Sequence, residues 1–190
     1  MELHSIGLRN TRRKMALMGA IALSGLPAGQ AMSATDGSLG ATSTGTVAIS
    51  ASVPTRARIT GLSDVAFTNQ DPGTPATSAQ DVCVWSNTAT KAYTITATGS
   101  GTASAFTLTN GSGAVPYSVE WADTSGATSG TALVAGTASA SQASAATNQI
   151  CASGPAASAS LVVKIATADL GTMTGGSSYT GTLTLLITPQ

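Results

Sequence analysis

The sequence predicts an all-β protein, built of short antiparallel strands packed as a β-sandwich. Three observations lead there. Apolar residues recur at a period of two in several segments beyond residue 45, clusters of Gly, Pro and Ser separate those segments, and no segment sustains a 3.6-residue period. Of the 190 residues only 8% are charged and 4% aromatic. The surface must therefore be neutral and rich in Ser, Thr, Ala and Gly, where a typical domain carries about 25% charge.

The chain opens on a targeting segment rather than a strand. Arg9, Arg12, Arg13 and Lys14 precede the apolar run Met15–Gly25, which is too short for a bilayer-spanning helix of about 20 residues. Pro27 and the small residues of Ala28–Ala34 come next, with cleavage expected after Ser33 or, alternatively, after Ala31. Residues 1–33 thus read as a signal peptide. The general secretory route is favoured over a twin-arginine route at Arg12-Arg13, because the expected hydrophobic pair after the arginines is absent.

The next segment, 34–53, starts polar and then alternates through Gly45, Val47, Ile49, Ala51 and Val53 before Pro54 interrupts it. It has strand chemistry but no turn to pair it with the next strand of the chain. Such a segment is either the domain's own first strand or one meant for another molecule.

Residues 54–190 carry the remaining strands. Short ones are expected at Arg56–Thr60, Val65–Thr68, Asp81–Ser86, Ala105–Thr109, Thr131–Ala135 and Gln149–Cys151. Tyr93–Thr98 alternates apolar residues with Thr. Val115, Tyr117, Val119 and Trp121 share a face opposite Ser118 and Glu120. Asn110-Gly111 supplies left-handed residues for a hairpin turn. Thr124–Asn148 reads as a long loop of small residues with weak edge strands, and Ala166–Met173 as one short helical turn. Leu161, Val163 and Ile165 alternate, as do Leu183, Leu185 and Ile187.

Removal of residues 1–33 would take away His4, the chain's one histidine, and leave four basic groups (Arg56, Arg58, Lys91, Lys164) against seven acidic ones. No Ser-His-Asp or Cys-His arrangement is then possible, so no enzyme activity is expected. Glu120 and Asp123 read as solvated groups rather than a glycosidase pair, and Lys164 as the polar phase of a strand. The Gly pairs lack a phosphate-loop lysine, and no basic footprint offers itself to nucleic acid. No cofactor or metal is expected. Cys83 and Cys151 are the two cysteines, and in an exported chain they are expected to form a disulfide. The few aromatics are expected to fill the core rather than line a sugar-binding face.

The chain resembles the subunits of chaperone–usher pili, nearest to the archaic and alpha classes that include spore-coat-U-like domains. The resemblance rests on Gly45–Val53, Asp81-Val-Cys-Val-Trp-Ser-Asn87, Tyr93-Thr-Ile-Thr-Ala-Thr-Gly99 and the closing segment Gly175–Pro189. In many pilins the strand after the donor segment carries the first cysteine; Arg56–Thr60 here carries none.

The resemblance implies an incomplete immunoglobulin-like sandwich, completed by donor-strand exchange. Tyr179, Leu183, Leu185 and Ile187 would belong to the C-terminal strand at the edge of an open groove. With the Leu183–Ile187 strand placed directly before Gln190, no further strand is expected to cover that groove. A periplasmic chaperone would fill the groove first. At an outer-membrane usher, the 34–53 extension of the next subunit would replace it through Gly45, Val47, Ile49, Ala51 and Val53. Burying three large aliphatic side chains at about 1.5–3 kcal/mol each would contribute roughly 5–9 kcal/mol before ordering costs. The implied role is a shaft subunit of a cell-surface fimbrium for adhesion or biofilm formation, since the length leaves no room for a separate receptor domain. A self-complete secreted carbohydrate- or surface-binding module is the alternative.

Overall fold

The computed structural model describes residues 34–190, so the expected signal peptide lies outside the described residues. These residues fall into two units divided between Ser52 and Val53.

The first unit contains no ladder among its described residues. Thr35 and Thr46 form an isolated antiparallel bridge, with Thr35 N donating to Thr46 O at 3.0 Å and Thr46 N to Thr35 O at 2.9 Å. Residues 47–52 are in no regular element and are exposed throughout. The alternation of Gly45–Val53 is real, but a strand is defined by a partner, and beyond the single Thr35–Thr46 bridge none pairs with it among the described residues.

The second unit is all-β and antiparallel. A five-stranded sheet runs in the order β1 (Ala57–Thr60), β2 (Ala76–Ser86), β9 (Ala159–Ile165), β6 (Ser118–Ala122), β7 (Thr131–Ala132). A second sheet has β10 (Leu183–Pro189) beside β3 (Ala92–Gly99) beside β8 (Gln142–Ala143), and β4 (Thr107–Thr109) pairs with β5 (Ala114–Pro116). Val82, Val84, Val119, Trp121, Leu161, Val163 and Ile165 from the first sheet meet Tyr93, Ile95 and Ala97 from the second in one buried cluster. Leu183, Leu185 and Ile187 add their half-buried side chains to it. These are the period-two faces of the sequence, turned inward because each carries the apolar phase of its strand.

Several expectations are refined. The Val115–Trp121 face is continuous, but its backbone divides: β5 pairs with β4 whereas β6 pairs with β9. The hairpin at Asn110 is a longer turn. Asn110 Oδ1 accepts from Ser112 N at 3.0 Å and Gly113 N at 2.7 Å, and Gly111 takes the positive φ of 87°. Thr124–Asn148 is a loop bearing the two-residue strands β7 and β8, and one helical turn, α1 (Thr167–Leu170), comes after β9.

Two expected strands are not strands. At Gln149–Cys151 the Asn148 carboxamide oxygen takes up the Ile150 and Ala152 amides, turning the chain, and Cys151 sits at φ 54°. Val65–Thr68 has no ladder partner.

Cys83 and Cys151 are joined, with Cα atoms 5.9 Å apart and a separation of 68 positions in sequence. With Ala146 and the half-buried Trp85 they form a small second cluster.

Candidate functional groove

A groove of about 1090 Å³, apolar along its floor and polar along much of its rim, opens between two segments whose backbones are only partly paired. One rim is β10. It pairs with β3 in register from Leu183 opposite Gly99 to Pro189 opposite Tyr93, and with no other strand among the described residues. In an antiparallel strand successive residues direct their N–H and C=O groups to alternate sides, so a single partner leaves half of them unused. The second rim is the stretch from Leu62 to Gln70. Val65 and Phe67 lean on the core while their neighbours are exposed, and among the described residues no backbone group of 64–68 bonds to another backbone group.

The floor consists of Leu161, Val163 and Ile165 from β9, with Tyr117 and Leu170. All five are buried, yet their side chains form part of the groove wall. The groove ends at the loop 173–182, where Tyr179 stands. β10 begins at Leu183, so Tyr179 precedes the edge strand expected to contain it. Its hydroxyl accepts a hydrogen bond from Thr174 N at 3.1 Å, and that bond holds the phenol below its ordinary pKa. Leu183 and Leu185 line the groove; Ile187 packs on the core outside the lining.

An exposed row of apolar side chains is the other notable feature. Val47 is 75%, Ile49 91% and Val53 79% exposed, and Leu39 is fully exposed. Gly45 lies against Thr35: a Cβ there would come within 3.1 Å of the Thr35 carbonyl oxygen.

Charged groups elsewhere serve loop anchoring. Lys164 Nζ donates to both Glu120 oxygens at 2.8 Å, and Gly130 N donates to Glu120 Oε2 at 3.0 Å. The ammonium first, then the amide, holds the Glu120 carboxyl below its ordinary range. Asp81 is lowered by the Gly126 amide and then by the Ser160 hydroxyl. Tyr93, Tyr117 and Trp121 are core residues, with Trp121 Nε1 donating to the Tyr93 hydroxyl at 3.3 Å. Among the described residues no three His, Cys, Asp or Glu side chains gather into a metal-holding group.

The floor of the groove is legible in the sequence as a strand face, but not as a surface left open. Nothing in the alternation of Val65 and Phe67 distinguishes a segment packed by its side chains alone from one paired through its backbone.

No model of a known protein family matches the chain, and no curated protein matches it either.

Proposed function

We propose that the chain is a structural subunit of a surface pilus, an incomplete immunoglobulin-like sandwich whose groove is filled by the extension of a neighbouring copy. The observation that carries this reading is the groove itself: an apolar floor between β10, paired on one side, and residues 64–68, unpaired with any other backbone among the described residues. An extended segment laid there would join both rims through its backbone and press alternate side chains on Leu161, Val163 and Ile165. The chain carries such a segment. Gly45, Val47, Ile49, Ala51 and Val53 are of one parity, and all are exposed.

Each copy would thus complete the next. A head-to-tail contact of this kind does not close on itself and yields a filament. Before assembly the open groove requires a cover, the role of a periplasmic chaperone; an outer-membrane usher would then direct exchange for the next subunit's strand. Adhesion or biofilm formation at the cell surface is the role such a filament would serve, and no catalysis is assigned to the chain.

Ile49→Asp puts a charge into the groove and should abolish filaments in electron micrographs, whereas Ser50→Asp, of the opposite parity, should leave them intact. Filaments that persist with Ile49→Asp would overturn the reading and favour the self-complete binding module.

A further inference from the structure

Six charges of the second unit gather toward its two ends; of the other exposed ones, Asp81 stands in mid-β2 and Asp123 just after β6, near Tyr93. At the C-terminal end of β2, Arg58 stands opposite Trp85 and Ala57 opposite Ser86. Arg56 N donates to Asn87 Oδ1 at 2.6 Å, and Lys91 N closes the adjoining turn on Thr88 O at 3.0 Å. Arg56, Arg58 and Lys91 therefore share that end, all of them exposed. The opposite end is acidic. Ala76 pairs with Ile165, Asp71 lies just before β2, and Asp169 sits in α1 just after β9. The 11 residues of β2 separate the two ends by roughly 35 Å.

The acidic end is also the mouth of the groove. Asp64 lines it, Gln70 and Pro72 line it on either side of Asp71, and Leu170 lines it beside Asp169. Lys164 and Glu120 form the ion pair among the described residues; none of the six charges at the two ends takes part in one. A small domain with few charges has kept three cations toward one end and three carboxylates toward the other, none of them in an ion pair among the described residues.

We infer that the basic end of one copy docks on the acidic groove mouth of the next, with Arg56 and Arg58 facing Asp64, Asp71 and Asp169. This rests on the strand-exchange reading above. The occupant is a second copy of this chain, selected by charge complementarity joined to chain continuity. Val53 is the last apolar residue of the exposed segment, and Arg56 comes within about 10 Å of chain. When Val53 reaches the groove mouth, the two arginines arrive within about one Debye length of the carboxylates at physiological salt. The opposite stacking, basic end on basic end, is repelled. The charges thus speed productive encounter and set the polarity of the filament.

The test measures the assembly rate of full-length chains by light scattering, alongside binding of a synthetic peptide of residues 45–53, which carries no charged side chain. The expected result is assembly that slows with salt and slows about tenfold in Arg56→Glu/Arg58→Glu and in Asp71→Lys/Asp169→Lys, with recovery when all four changes are combined. The peptide should bind every variant equally. Peptide binding with assembly indifferent to salt and to all four substitutions would overturn the docking while leaving strand exchange standing. Failure of the peptide to bind any variant would overturn both.

Discussion

Ser158 supplies Val84 with the hydrogen bonds that a neighbouring strand would otherwise provide. Its hydroxyl accepts from Val84 N at 2.8 Å and donates to Val84 O at 2.9 Å, one step beyond the point where the β2–β9 ladder ends at Val82 and Ala159. The Ser144 hydroxyl reaches the same carbonyl. Both serines and Val84 are buried. Ser158→Ala leaves a buried amide without its acceptor and should destabilise the unit by about 1–3 kcal/mol in denaturant unfolding. Ser144→Ala should cost a comparable amount, because the Ser144 hydroxyl also accepts from the buried Ala146 N at 3.0 Å.

The Cys83–Cys151 bond pins the same stretch of chain beside Val84. Closing a 68-residue loop contributes about 4 kcal/mol in the chain-entropy view. The double Ser variant should lose stability of that order in denaturant unfolding. Thiol labelling of the unreduced, denatured protein should modify neither cysteine.

Acid should release the loop after β6 before the core. Asp81 and Glu120 hold Gly126 N and Gly130 N, and both carboxyls lie below their ordinary range. A lowered folded-state pKa contributes stability that is complete above the unfolded value and is lost as pH falls through the folded one. Exchange protection at the Gly126 and Gly130 amides should therefore hold at neutral pH and decline below about pH 4. In Asp81→Asn the decline at Gly126 should flatten, and Glu120→Gln should do the same at Gly130.

These features differ in how far the sequence discloses them. Alternation at Tyr93–Thr98, Leu161–Ile165 and Leu183–Ile187 marks true strands, because each also finds a backbone partner. The same alternation at Val65 and Phe67, and at Gly45–Val53, records only which side chains are apolar. Period two reports a face; pairing depends on what the rest of the chain brings alongside. The groove lies where those two kinds of information part, beside residues 64–68, which pack without pairing. Ser158 and Ser144 are equally hidden, since one serine in a Ser-rich stretch resembles another until Val84 is placed beside it.

Leu62 and Ile150 offer a matched test of the groove, because they are 48% and 54% exposed and neither belongs to the buried core. Leu62 lines the groove; Ile150 lies beside the disulfide and does not. Aspartate at either position should leave the fold intact, since the new charge remains in contact with water. Only Leu62→Asp removes an apolar contact from the path of an incoming strand and sets a carboxylate against its side chains. Loss of about 1.5–3 kcal/mol of burial corresponds to roughly ten- to hundredfold weaker binding of a peptide of residues 45–53. Ile150→Asp should bind that peptide as the unaltered chain does. Equal weakening by both would mean that the peptide adheres to exposed apolar surface in general, and the groove would lose its claim to be the acceptor.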